Sequence, residues 1–80
     1  MSDNETRLRG VVAKVLAMPA QQVSDATSME TVASWDSLKQ LQVILALEEE
    51  FGVSFDEELA LEIVSLPQIR AALGEQGVSF

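Results

Sequence analysis

Asp36-Ser37-Leu38 places a hydroxyl between a carboxylate and an apolar side chain, immediately ahead of the chain's strongest apolar run. A serine set there lies where a helix begins. Asp36 can act as N-cap, and the unpaired amide hydrogens and positive dipole end of a first turn favour negative charge. A phosphate esterified to the Ser37 hydroxyl would lie in that field, although the tripeptide alone also suits an ordinary helix start. Nucleophilic catalysis by Ser37 is poorly supported, because the sequence holds no His to activate it and no Gly-x-Ser-x-Gly turn around it. The absence of Cys also removes disulfides, thiolate metal sites and redox centres. Glu48-Glu49-Glu50 and the group Asp56, Glu57, Glu58 and Glu62 lack the Asp-x-Asp-x-Asn-Gly spacing of a calcium loop, so they read as solvated helical faces. No catalytic residue and no metal site is expected.

Four helical segments must position these residues. Ser2-Asp3-Asn4-Glu5 forms a Ser-x-x-Glu capping box ahead of Leu8, Val11, Val12, Val15 and Leu16 at helical spacing. That first helix should stop at Met18, since Pro19 disfavours the α region for the residue before it. From Pro19 to Trp35 only Val23, Met29 and Val32 anchor a long polar loop, a length that is often functional. The second helix carries Leu38, Leu41, Ile44, Leu45, Leu47 and Phe51, widened by Val43, with Gly52 placed as its C-terminal cap. Such a broad apolar face predicts a central helix. Ser54 and Glu57 suit a capping box for a short third helix over Asp56 to Val64, with Leu59, Ile63 and Val64 inward. Ser65-Leu66-Pro67-Gln68 then opens a fourth helix whose Ile69, Ala72 and Leu73 precede Gly74. The expected fold class is all-α: one domain over residues 1 to 80, a four-helix bundle with a long first loop and a short third helix.

Charge bounds the partners. The 80 residues hold 13 acidic and five basic side chains, a formal charge of −8; residues 1 to 22 carry a net +1 and residues 23 to 80 a net −9. Phosphate backbones and anionic membrane surfaces should repel such a chain, and basic protein surfaces complement it. Glu58 and Glu62, four apart on one helix, repel each other by a few tenths of a kcal/mol, which a basic partner would relieve. No apolar run approaches the ~20 residues of a membrane span, and the Asp3 and Glu5 start is unlike a signal peptide. The expectation is a cytoplasmic monomer that neither binds nucleic acid nor inserts in membranes.

Asp36-Ser37-Leu38, four residues, and then Val43-Ile44-Leu45-Ala46-Leu47-Glu48-Glu49-Glu50-Phe51 closely resemble the second helix of acyl carrier proteins. The resemblance extends through the capped first helix, the long loop, Asp56-Glu57-Glu58, Ile63 and the Ser65-Leu66 helix entry, which is nearly the whole chain. It implies a bundle of acyl-carrier type and maps Ser37 onto the attachment site of 4'-phosphopantetheine, flanked by Asp36 and Leu38. It also implies a phosphopantetheinyl transferase that modifies the chain from coenzyme A, and acyl-loading and acyl-transfer enzymes with basic docking patches. A thiol on a long arm raises effective concentration at each enzyme, so a carrier needs no catalyst of its own. Leu41, Leu45, Phe55, Ile63 and Leu66 are expected first as core and, under the resemblance, as a shelter for the acyl chain.

Two departures accompany the resemblance. Fatty-acid carriers have an acidic residue directly after Asp-Ser-Leu and another three positions later, where this chain has Lys39 and Gln42. The partner-binding surface expected from Lys39, Gln42, Glu48, Glu49, Asp56 and Glu57 is thus less negative at its serine end, which points to a dedicated pathway of specialised lipid, polyketide or related biosynthesis. Trp35 stands where fatty-acid carriers commonly have a small residue, as in discrete carriers of specialised pathways. It is expected to close the loop over the core. The competing readings are an aminoacyl or peptidyl carrier, and an acidic helical interaction module with no prosthetic group.

Overall fold

A computed structural model describes residues 3–80 of the protein. Its helices follow in the expected order: α1 (Asp3–Leu16), α2 (Ser37–Phe51), α3 (Glu57–Glu62) and α4 (Leu66–Glu75). One core joins them. Leu8, Val12, Ala13 and Leu16 of α1 meet Val43, Ile44 and Leu47 of α2 and Leu66, Ile69, Ala72 and Leu73 of α4, with Val23, Trp35 and Ile63 supplied by the connections. Each large side chain removed from water here contributes about 1.5–3 kcal/mol before entropy is counted.

The helix ends show which local rules prevailed. Ser2, and with it the expected Ser2–Glu5 capping box, lies outside the described residues. At the other end α1 stops at Leu16, two residues before the expected Met18. Ala17 turns left-handed at φ 55°, its N–H reaching Lys14 O at 3.4 Å while the Met18 N–H reaches Ala13 O at 3.0 Å. That paired closure satisfies orphan carbonyls before Pro19 is reached. The cap of α3 is Asp56 and not the expected Ser54: the Asp56 side chain accepts from the Leu59 N–H at 2.8 Å, so the helix opens at Glu57, and it closes at Glu62 with Ile63 as C-cap, two residues short of the expected Val64. Within α3 no residue is fully buried, although Leu59 and Ala60 pack against the core. Ser65 caps α4 as expected, and Gln68 Oε1 reaches back to the Val64 N–H at 3.0 Å.

The long loop is not slack. It contains a single 3-10 turn at Ala20–Gln22, and its centre pairs with the α3–α4 junction through the Ser28–Ser65 bridge. There the Met29 N–H donates to Val64 O at 2.9 Å and the Leu66 N–H to Thr27 O at 3.0 Å. Val23 and Trp35 are buried and Met29 and Val32 are half-buried, so the few apolar residues of the segment do anchor it.

The broad face of α2 needs correction. Buried residues are Gln40, Val43, Ile44 and Leu47, whereas Leu38, Leu41 and Leu45 are 62, 57 and 64 % exposed. Apolar count alone fitted the leucines inward. Gln40 takes an interior position because every polar atom of its amide finds a partner there, which removes the usual penalty for burying it.

Ion pairs fasten the bundle's edges. Arg7 donates to Glu50 Oε2 at 2.8 Å and lies 4.6 Å over the Phe51 ring, joining the two ends of α1 and α2. Glu5 accepts from Arg70 Nε at 2.8 Å and from Arg9 Nε at 2.7 Å, and Arg70 also reaches Asp25 at 2.8 Å, tying α1, the loop and α4. The Arg70 hydrogen bonds above all, and then Arg9, lower the Glu5 carboxyl from its ordinary 4.5 to about 2, against burial, which pushes it upward. A carboxylate depressed in the fold stabilises fully above its unfolded value and loses that contribution as pH falls from about 4.5 through 2. Glu5→Gln is therefore expected to cost about 1–2 kcal/mol at neutral pH, solvent screening included, and nothing below pH 2. Urea melts of both chains between pH 2 and 7 check this; a constant difference across that range contradicts it.

Candidate functional site

The site is built at the start of α2. Asp36 is held extended at φ −104° and ψ −173°, and its Oδ1 accepts from the Lys39 N–H at 2.9 Å. With Asp36 capping, Ser37 becomes the first helical residue, and the N–H groups of Ser37 and Leu38 have no acceptor within the helix. Ser37 is exposed. A hydroxyl at this position is open to a modifying enzyme, and an ester phosphate on it would meet free amide donors and the positive end of a 15-residue helix. The surroundings thus fit a phosphate-linked group.

Around Ser37 in the chain, two buried side chains are tied by hydrogen bonds. Trp35 is 2 % exposed and donates from Nε1 to Gln40 Oε1 at 2.7 Å. Gln40 Nε2 in turn donates to the carbonyls of Ala60, at 2.6 Å, and Ile63, at 3.1 Å. One amide therefore links the end of the loop, the first turn of α2 and the C-terminal carbonyls of α3. Trp35 closes the loop over the core as its type and place predict; Gln40 was not foreseen, because a glutamine between Lys39 and Leu41 reads as surface. A polar residue three and four places before Val43 and Ile44, on their helical face, was the available signal.

The other expected residues are dispersed. Lys39 is half-buried and Gln42 exposed on α2; Glu48 is half-buried, with Oε2 accepting from the Phe55 N–H at 2.8 Å; Glu49 is exposed. Asp56 and Glu57 are exposed at the start of α3. The residues named for a shelter do not form one. Leu41 and Leu45 face outward, while Ile63 and Leu66 are buried in the core and Phe55 packs against it. Instead, Leu38, Leu41 and Leu45, three and four residues apart on α2, make an exposed apolar stripe that starts beside Ser37. Among the described residues no group of three or more carboxylates is placed to hold a metal ion, and no helix is long and apolar enough to cross a membrane.

A family model described as "Phosphopantetheine attachment site" matches residues 6–73. Acyl carrier protein 3, chloroplastic, of Cuphea lanceolata is 38% identical over 58 residues, which cover 72% of this chain and 41% of the relative. Acyl carrier protein 1, chloroplastic, of the same plant is 39% identical over 54 residues, covering 68% of this chain and 39% of the relative. The chain thus spans about two fifths of the length of these curated relatives.

Proposed function

The chain belongs to the acyl carrier protein family, whose members carry covalent 4'-phosphopantetheine and are not catalysts, and on that premise we propose that Ser37 is the attachment residue and that the chain presents acyl intermediates to biosynthetic enzymes. The observation that carries the proposal is the exposed Ser37 hydroxyl at a capped helix start within the matched segment. The arm, when attached, supplies a terminal thiol that holds an acyl group as a thioester. This chain's own residues do the rest. Asp36 fixes the first turn, the free N–H groups of Ser37 and Leu38 favour the phosphate's charge, and Lys39 adds a cation within the same turn.

The proposed partners are a phosphopantetheinyl transferase and acyl-loading and acyl-transfer enzymes of a specialised lipid, polyketide or related pathway. The exposed leucine stripe and Glu49 support this, since together they suit an apolar cleft with a basic rim. The proposed unit is a monomeric carrier domain over residues 1 to 80, working in the cytoplasm. Incubation with coenzyme A and a transferase, followed by acyl loading and hydroxylamine release, tests the proposal. An arm that accepts and releases an acyl group supports it; a chain that is never modified favours an interaction module.

The serine end of the stripe lacks the acidic residues of fatty-acid carriers, which gives a second expected outcome. Lys39→Glu combined with Gln42→Glu should quicken modification by a transferase that prefers fatty-acid carriers by about three- to tenfold at low salt. The gain should shrink as the Debye length falls to ~10 Å at 0.1 M. Stopped modification reactions across a salt series measure it, and equal rates at low salt would remove Lys39 and Gln42 from partner choice.

A further inference from the structure

The space between α2 and α3 is closed by a hydrogen-bonded plug. Trp35 and Gln40, 2 and 3 % exposed, stand on either side of Ser37 in the chain, and the Gln40 amide spans from the indole to the carbonyls of Ala60 and Ile63. Among the described residues every buried side-chain nitrogen and oxygen has a hydrogen-bond partner, so the plug is fully satisfied. An apolar chain pushed between the two helices would displace the amide, and it would leave the buried indole N–H and the Ile63 carbonyl, with the part-buried Ala60 carbonyl, without their partner. Neither Leu41 nor Leu45 lines an alternative interior path, since both face outward. The hollows that the surface does hold include one between α1 and α2, floored by Val11, Val15 and Ala46, and a smaller one between α3 and α4, lined by Leu59, Ile63 and Ala72; neither is lined by Trp35 or Gln40.

We propose that the Trp35–Gln40 pair is a specificity device that keeps cargo outside the bundle, so the chain serves short or polar acyl groups and does not shelter long apolar ones. This rests on Ser37 as attachment residue. A carrier of this kind leaves the thioester open to solvent and to the partner enzyme, with no energetic step to extract the cargo. It also gives Gln40 a reason to be buried polar rather than apolar: an aliphatic side chain there would favour the entry of an alkyl chain instead of opposing it.

The test loads the wild-type chain by transferase with acetyl-, hexanoyl- and dodecanoyl-coenzyme A. Intact mass confirms each load, the thioester is cleaved with hydroxylamine, and the indole N–H signal of Trp35, the chain's one tryptophan, is followed by NMR. Cleavage rates should agree within about twofold across the three groups, with the indole signal unmoved, because an excluded chain gains no protection. Gln40→Thr shortens the plug while keeping a hydroxyl, and should slow dodecanoyl cleavage at least about fivefold relative to acetyl. Slowed dodecanoyl cleavage and a shifted indole signal in the wild type would overturn the proposal, as would equal rates in folded Gln40→Thr. A wild-type chain that gains no mass overturns the reading of Ser37 and this inference with it, and is told apart from the other outcomes by the mass alone.

Discussion

Ser37→Ala is expected to take up no phosphopantetheine under conditions that convert the wild-type chain, while its stability stays within about 0.5 kcal/mol. The two halves of that expectation have separate causes. Modification needs an oxygen nucleophile at the first turn of α2, and the neighbouring hydroxyl, Ser34, sits on the far side of the cap with its Oγ donating to Leu16 O at 3.2 Å. Stability does not need the hydroxyl, because Ser37 is exposed and the capping of α2 is done by Asp36. Intact mass and urea melts measured on the same samples separate them. A Ser37→Ala chain that is still modified would move the site, and one that loses its fold would make Ser37 a structural residue.

Gln40→Leu is the largest expected loss of stability, about 2–4 kcal/mol. Size is nearly kept, so no large cavity is made. Three groups lose their partner: the indole Nε1 of Trp35 and the carbonyls of Ala60 and Ile63. Two of them belong to the end of α3, a six-residue helix with no fully buried residue. Gln40 thus completes a helix end that is too short to hold itself. Amide exchange should accelerate first over α3 and at the Trp35 indole, ahead of α1 and α4. A loss below 0.5 kcal/mol, with exchange unchanged over α3, would show that water replaces the amide without cost.

Much of the bundle was legible because its local signals agree. The Ser65 cap with Pro67 and Gln68, the Gly52 terminus and the 3.6-residue period of α1 each specify a boundary or a face without tertiary information. Asp36-Ser37-Leu38 was legible for the same reason, since a cap and a first-turn residue are local features. The face of α2 was not. Eight apolar residues around one helix leave the periodicity without a unique answer, and which of them turn inward was decided by Gln40, whose partners lie 20 and 23 positions away in the chain. The α3 boundary failed for a related reason: Ser54 and Asp56 both suit an N-cap, and the approach of the chain from Phe55, whose N–H is held by Glu48, selected Asp56. The ordering of the long loop was equally non-local, arising from its bridge to Ser65.

The most direct measurement is the location of the arm on the wild-type chain. The protein is incubated with coenzyme A and a phosphopantetheinyl transferase, its intact mass is recorded, and the modified peptide is fragmented. The expected result is one phosphopantetheine per chain, with every fragment that carries it containing Ser37 and none placing it on Ser34. An unmodified chain across several transferases, or an arm found on any other serine, would contradict the assignment of Ser37.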